Sequence, residues 1–158
     1  MCSTTNVIFN EIPIRVVFPL LEEYFKQHWI ECGQVNGPDK LEIDYELYGR
    51  MEDIGHYKGF FAQDSEGNLI GYVSTVLATG MHHKNDLYAE TDCFYLDPKY
   101  RSKGIGYQLI QYAERTLKDK YGVGFLRITV NANKKDIVPL IEKMGFAECD
   151  IVYQKKLE

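Results

Sequence analysis

Asp97-Pro98-Lys99-Tyr100-Arg101-Ser102-Lys103-Gly104-Ile105-Gly106 lies between an aromatic, β-branched run that ends at Leu96 and an apolar stripe that begins at Ile105. A strand therefore stops and a helix starts within a few residues, which is the signature of a mixed α/β sheet. Asp97-Pro98 ends the strand, since proline cannot continue a ladder. Ile105, Leu109, Tyr112, Ala113, Thr116 and Leu117 then recur at helical spacing, and Gly122 supplies the stop.

Upstream, the period is that of strands. Tyr57 to Gln63 and Leu69 to Thr79 flank Asp64-Ser65-Glu66-Gly67-Asn68 and predict a hairpin. Met81 to Asn85 predicts a second turn, followed by a strand from Leu87 to Leu96. Further back, Asn6 to Glu11 suits a short first strand. Val17, Leu20, Leu21, Tyr24 and His28 mark a helix after Pro13, and Ile43, Leu47, Met51 and Ile54 a weaker one containing Gly49. Downstream, Phe125 to Val130 reads as a strand and Asp136 to Met144 as a helix closed by Gly145, with Pro139 in its first turn or shortening it. Ala147 to Leu157 reads as a final strand. The order β-α-α-β-β-β-α-β-α-β predicts an α/β (α+β) fold with a mostly antiparallel mixed sheet and helices on both faces. Neither a linker nor a repeat divides residues 1–158, so a single domain is expected.

Composition narrows the function. The chain has 158 residues, enough to bury a core without metal or disulfide staples. Cys2, Cys32, Cys93 and Cys149 are scattered without paired ligand spacing, so reduced thiols and no metal are expected. A formal charge of -5 disfavours a nucleic-acid partner and suits a cationic one. The start has no basic n-region, and no run of about 18 apolar residues occurs. A cytoplasmic protein without a membrane partner is therefore expected, and a homodimer is left open.

The chemistry concentrates in the basic turn. Main-chain N–H groups and the dipole at a helix start favour an anion, and glycines at 104 and 106 admit it closely. Lys99, Arg101 and Lys103 surround the same spot with positive charge. A pyrophosphate fits; close packing of the two glycines under a solvated rim of lysines is the plainer alternative. A dinucleotide fingerprint fails, because Leu109 stands where a third small residue is needed.

Arg101, Gly104 and Gly106 match the acyl-CoA signature of the GNAT superfamily of acetyltransferases: Arg or Gln, two residues, Gly, one residue, then Gly or Ala. Leu96-Asp97-Pro98 and Glu142-Lys143-Met144-Gly145-Phe146 resemble further landmarks of that family, and the likeness is strongest from His56 to Tyr153. The resemblance implies acetyl-CoA as co-substrate and an amine as acceptor. It implies that Arg101, Ser102, Lys103, Gly104, Ile105 and Gly106 hold the CoA pyrophosphate through backbone amides. Phe94, Tyr95 and Leu96 would offer main-chain groups to the pantetheine arm, in the manner of an added strand. Asn133 stands one position from a family asparagine that approaches the cofactor.

An amine with a pKa of about 10.4 needs a proton acceptor before it attacks. Glu90 and Asp92 lie two apart in the strand entering the turn, on one face with Tyr88 and Phe94, and both are candidate catalytic carboxylates. Glu90, eleven positions before Arg101, has the offset of the general-base glutamate in histone-acetyltransferase-like members. Burial among aromatics and the like charge of Asp92 would raise a carboxyl pKa toward working pH. Pairing with basic side chains or solvent is the structural alternative for both acids.

Where many members carry a proton-donating tyrosine, four residues before the Gly of Gly-Phe, this chain has Ile141. The general acid is thus unassigned among Tyr153, another tyrosine and water, and a non-catalytic acyl-CoA-binding or partner-binding module stands as the alternative function. Adjacent His82 and His83 would point to opposite strand faces, so a solvated turn is the better reading than a metal site. Cys93, with no histidine near it in sequence, reads as core rather than nucleophile. Asp86, Glu90 and Asp92 favour a cationic acceptor without distinguishing polyamine, aminoglycoside, amino acid, peptide amino terminus or lysine.

Overall fold

A computed structural model describes residues 6–33 and 37–157. In chain order it contains β1 (Ile8–Glu11), α1 (Ile14–Cys32), α2 (Tyr45–Asp53), β2 (Tyr57–Gln63), β3 (Leu69–Gly80), β4 (His83–Leu96), α3 (Ile105–Tyr121), β5 (Phe125–Arg127) and α4 (Val138–Lys143). Short 3-10 turns occupy Pro98–Tyr100 and Lys135–Ile137. The strands form one sheet in the order β1-β2-β3-β4-β5. All neighbours are antiparallel except β4 and β5, which are parallel. This is the mixed, mostly antiparallel sheet expected.

The chain packs as two compact units. The first comprises the described residues up to Leu21 together with Asp44–Thr129, and it contains the whole sheet, α2 and α3. Phe60, Ala62, Val73, Leu77, Ala89 and Leu96 meet Ile105, Leu109, Ala113 and Leu117 of α3 on one face. Those four helical positions are 5% exposed or less, so α3 buries one stripe, as its spacing requires. The opposite face carries Tyr57, Phe61, Tyr72 and Tyr95, each 3% exposed or less. There Phe18 of α1 lies edge-on to Tyr45 and Tyr48 of α2, and Tyr48 edge-on to Tyr57. Helices thus cover both faces.

Side chains of the loops fix the hairpins. Asp64 Oδ1 accepts from the N–H groups of Glu66 and Asn68, both at 2.9 Å, while Gly67 adopts φ 83, so the β2–β3 turn is closed from within. These bonds hold the Asp64 carboxyl below the usual carboxylate range, the Asn68 side chain contributing most. The β3–β4 turn is tighter than expected. Gly80 already pairs with His83, and the ladder then slips before Thr79 meets Leu87. His83 is therefore at the start of a strand and exposed, beyond a turn whose Met81 is 98% exposed.

The second unit comprises the described residues of Glu22–Ile43 and those from Val130 onward. The helix expected from Asp136 is replaced by a 3-10 turn, and α4 starts only at Val138, because Pro139 suits a first helical turn and no later one. The expected last strand, Ala147 to Leu157, does not form: among the described residues it joins no ladder. Ile151, Val152, Tyr153 and Leu157 are 67–90% exposed. Alternating side chains show which residues would share a face, but only a neighbouring ladder makes a strand.

Candidate active site

Gly104 is the N-cap of α3 with φ 77, and Ser102 two residues earlier has φ 62. Left-handed residues set among extended and helical ones turn successive N–H groups toward a common concavity suited to an anion. The first helical bond runs from Gln108 N to Gly104 O, so the N–H groups of Ile105, Gly106 and Tyr107 have no partner inside the helix. The two glycines differ in role. A Cβ at Gly104 would meet no atom closer than 3.9 Å, so its backbone conformation is what demands glycine. A Cβ at Gly106 would sit 3.5 Å from the Phe94 ring, an ordinary contact that alanine satisfies.

Side chains brace the turn from below. Asp97 Oδ1 accepts from Lys99 N at 2.9 Å, and Tyr100 N donates to Asp97 O at 2.9 Å. Arg101 Nε donates to Leu96 O at 2.8 Å while its guanidinium lies over the Tyr95 ring, 5.4 Å from the centroid. The Lys103 ammonium lies over Tyr100, 5.5 Å from that centroid.

Leading into the turn, β4 pairs with β5 only at Tyr88–Glu90 against Phe125–Arg127. Asp97 N–H donates to Ile70 O on β3, so the Leu96 carbonyl across the same trans peptide points the other way. By the alternation of an antiparallel ladder, the main-chain groups of Phe94 share that outward direction. Polar backbone thus faces the side on which β5 has already ended.

A β-bulge decides how the side chains of β4 face. Ser74 pairs with Cys93 and Thr75 with Thr91, which leaves Asp92 as an extra residue. Glu90, opposite Val76, shares the face of Tyr57, whose partner is also Val76. Asp92 Oδ2 accepts from both Tyr48 Oη at 2.9 Å and Tyr57 Oη at 3.1 Å on that same face. The bulge moves Phe94 to the other side: it pairs with Val73 and packs with the α3 core instead of standing beside the two acids as expected. Glu90 is exposed rather than buried among aromatics, and its Oε1 accepts from Thr129 Oγ1 at 3.2 Å. Nearby, Tyr88 stacks on Phe125 with centroids 4.8 Å apart, and Arg127 lies over Tyr88 at 4.7 Å.

Burial and, next, the charge of Asp92 push the phenols of Tyr48 and Tyr57 well above the usual tyrosine range, so both stay protonated donors. These tyrosines carried no signal in the sequence, because they reach Asp92 across 44 and 35 residues. Asn133 lies in the second unit, where its Nδ2 donates to the Cys32 carbonyl at the end of α1, at 3.1 Å. Ile141 is buried, and Tyr153 is 90% exposed.

A family model described as the acetyltransferase (GNAT) family matches residues 19–146, most of the chain. The chain belongs to the GNAT family. It is an N-acetyltransferase by that membership, and the family generally uses acetyl-CoA. Among curated relatives it is similar to the N-alpha-acetyltransferase of Sulfurisphaera tokodaii, 23% identical over 118 residues that cover 71% of each chain. Among solved structures it is similar to an aminoglycoside acetyltransferase from an uncultured soil metagenomic sample. That pair has a TM-score of 0.74 and 12% identity over 97% of this chain and 99% of the other. A predicted acetyltransferase of Clostridium acetobutylicum solved with acetyl-CoA has a TM-score of 0.71 and 15% identity, with 96% of each chain covered. Among the described residues no helix is long and apolar enough to cross a membrane.

Proposed function

We propose that residues 1–158 act as one acetyltransferase domain that moves an acetyl group from acetyl-CoA directly to a primary amine, with Glu90 as general base. The observation that carries this reading is the pair of left-handed residues, Ser102 and Gly104, at the mouth of α3, directly after the strand that bears two carboxylates on one face. Residues 101–106 fit a diphosphate through main-chain donors, with Lys103 beside them. The outward backbone of Phe94 and Leu96, with Tyr95 between them, fits an extended amide-bearing arm. Bound there, the coenzyme supplies an acyl carbon activated by its thioester.

The chain's own residues then have to manage the acceptor and one proton. Glu90 is exposed and held by Thr129, so it can take a proton from an amine directly or through a water. Asp92 is less suited to that task, because two phenols already donate to one of its oxygens. Its negative charge still favours a cationic acceptor close by, as does that of Asp86. Glu90 takes one proton from the cationic amine; as the freed nitrogen then bonds to the acyl carbon, the carbon–sulfur bond breaks, the sulfur departs as thiolate and the second nitrogen-bound proton passes to water. At the position where the family resemblance implies a proton-donating tyrosine the chain has Ile141, which has no proton to give the thiolate. The amide of Asn133 is already engaged by Cys32, so a part for it in holding coenzyme requires that bond to open.

The names of similar proteins suggest two acceptors, a peptide α-amine and an aminoglycoside. The first is the better supported, since it comes with greater sequence identity. A second reading, an acyl-CoA-binding module without turnover, is favoured by Ile141 alone. Titration calorimetry with acetyl-CoA, together with a thiol-release assay over peptides, aminoglycosides and polyamines, separates the two. Release of thiol with a free peptide α-amine is the expected result, and binding without release on any amine favours the module.

A further inference from the structure

We propose that Arg101 serves the coenzyme site through its Nε hydrogen bond to the Leu96 carbonyl, as a positioning residue, and not through its positive charge; this rests on the diphosphate reading above. The bond is short, 2.8 Å, and joins the last residue of β4 to the residue that opens the cradle. Asp97 is bonded to β3 through its own N–H, so the peptide between Leu96 and Asp97 is fixed on one side by Ile70 and on the other by Arg101. Stacking over Tyr95, itself 3% exposed, gives the guanidinium a rigid bed. The outward carbonyl of Leu96 is thereby taken. An extended arm lying along β4 then finds its acceptor at the Phe94 carbonyl and its donors at the outward N–H groups of Phe94 and Leu96, and this fixes where the thioester falls relative to Glu90.

Side-chain chemistry separates the two roles. Glutamine carries its donor nitrogen at the same number of bonds from Cα as arginine carries Nε, and it is neutral. Lysine has a methylene at that place and keeps the charge one bond further out. If Nε is the working atom, Arg101→Gln should bind acetyl-CoA like the wild type, and Arg101→Lys should bind about tenfold more weakly. If charge on the diphosphate is what counts, the order reverses.

The experiment is calorimetric titration of acetyl-CoA into wild type, Arg101→Gln and Arg101→Lys at two ionic strengths, with the melting temperature of each variant measured. Support consists of near-wild-type affinity and unchanged salt dependence for glutamine, with weakened affinity for lysine. Wild-type affinity in Arg101→Lys, or equal weakening of both variants, overturns the proposal. Hydrogen exchange of amides 101–106 in the protein without coenzyme gives an independent readout: lysine should accelerate it and glutamine should not, and equal rates in all three proteins overturn the clamp. Failure of the wild type to bind acetyl-CoA instead removes the diphosphate reading, and the two failures are thus told apart.

Discussion

At the turn from Arg101 to Gly106 the proposed working groups are main-chain atoms, and what holds them is conformation: Ser102 at φ 62, Gly104 at φ 77 and the first amides of α3. In β4 the proposed working groups are the side chains of Glu90 and Asp92, and what aims them is one surplus residue at the bulge. A site made of backbone tolerates many side chains but few conformations, and a site made of side chains does the reverse. The two regions should therefore fail differently when altered.

The largest separation is expected from Glu90→Gln. It should lower turnover about 10²- to 10³-fold while leaving the acetyl-CoA dissociation constant close to wild type, measured by steady-state kinetics beside calorimetry. Unchanged turnover removes Glu90 from the proton's path. Gly104→Val makes the opposite cut. A β-branched residue held at φ 77 is strained, so coenzyme affinity should fall at least about tenfold, and normal affinity would contradict the backbone-cradle reading.

A smaller effect sharpens the picture of β4. Tyr57→Phe removes one of two donors to Asp92 and should cost about 1 kcal/mol, seen as a melting temperature lower by about 2–4 °C. The same variant reports on pH. Because burial and Asp92 raise the phenols of Tyr48 and Tyr57, the unfolded chain loses these protons near pH 10 while the folded chain keeps them. Their contribution to stability is complete below that pH and declines as pH rises above it. Urea midpoints followed from about pH 9 to about pH 11 should fall less steeply in Tyr57→Phe than in wild type. The smallest change is expected from Gly106→Ala: its Cβ meets only the Phe94 ring at 3.5 Å and a Leu96 methyl at 3.8 Å, so affinity should hold and the helix should be slightly firmer.

The same contrast explains what could be read from the sequence. The turn was legible because glycine, proline and a helical stripe are local signals, and the ends of α3 at Gly104 and Gly122 fall where those signals put them. The order of the elements from β1 to α4 was legible for the same reason. Facing in β4 was not: counting by twos placed Phe94 beside Glu90, and the bulge at Asp92 moved it to the α3 side. Nothing local announces a bulge, since it is settled by the register against β3. The tyrosines on Asp92 arrive from α2 and β2, and Thr129 comes from beyond β5, so only the folded sheet reveals them. The stretch from Ala147 to Leu157 failed in the reverse sense, its local pattern being present without a ladder to join.

The extra residue at position 92 makes the length of this strand a functional quantity. Upstream of it, Ala89 must face the α3 core and Glu90 the opposite side; downstream, Leu96 must face α3 and Tyr95 the opposite side. Plain alternation cannot meet both demands over this count of residues, and one surplus residue reconciles them. Removing any single residue between Glu90 and Tyr95 would turn half the strand inside out.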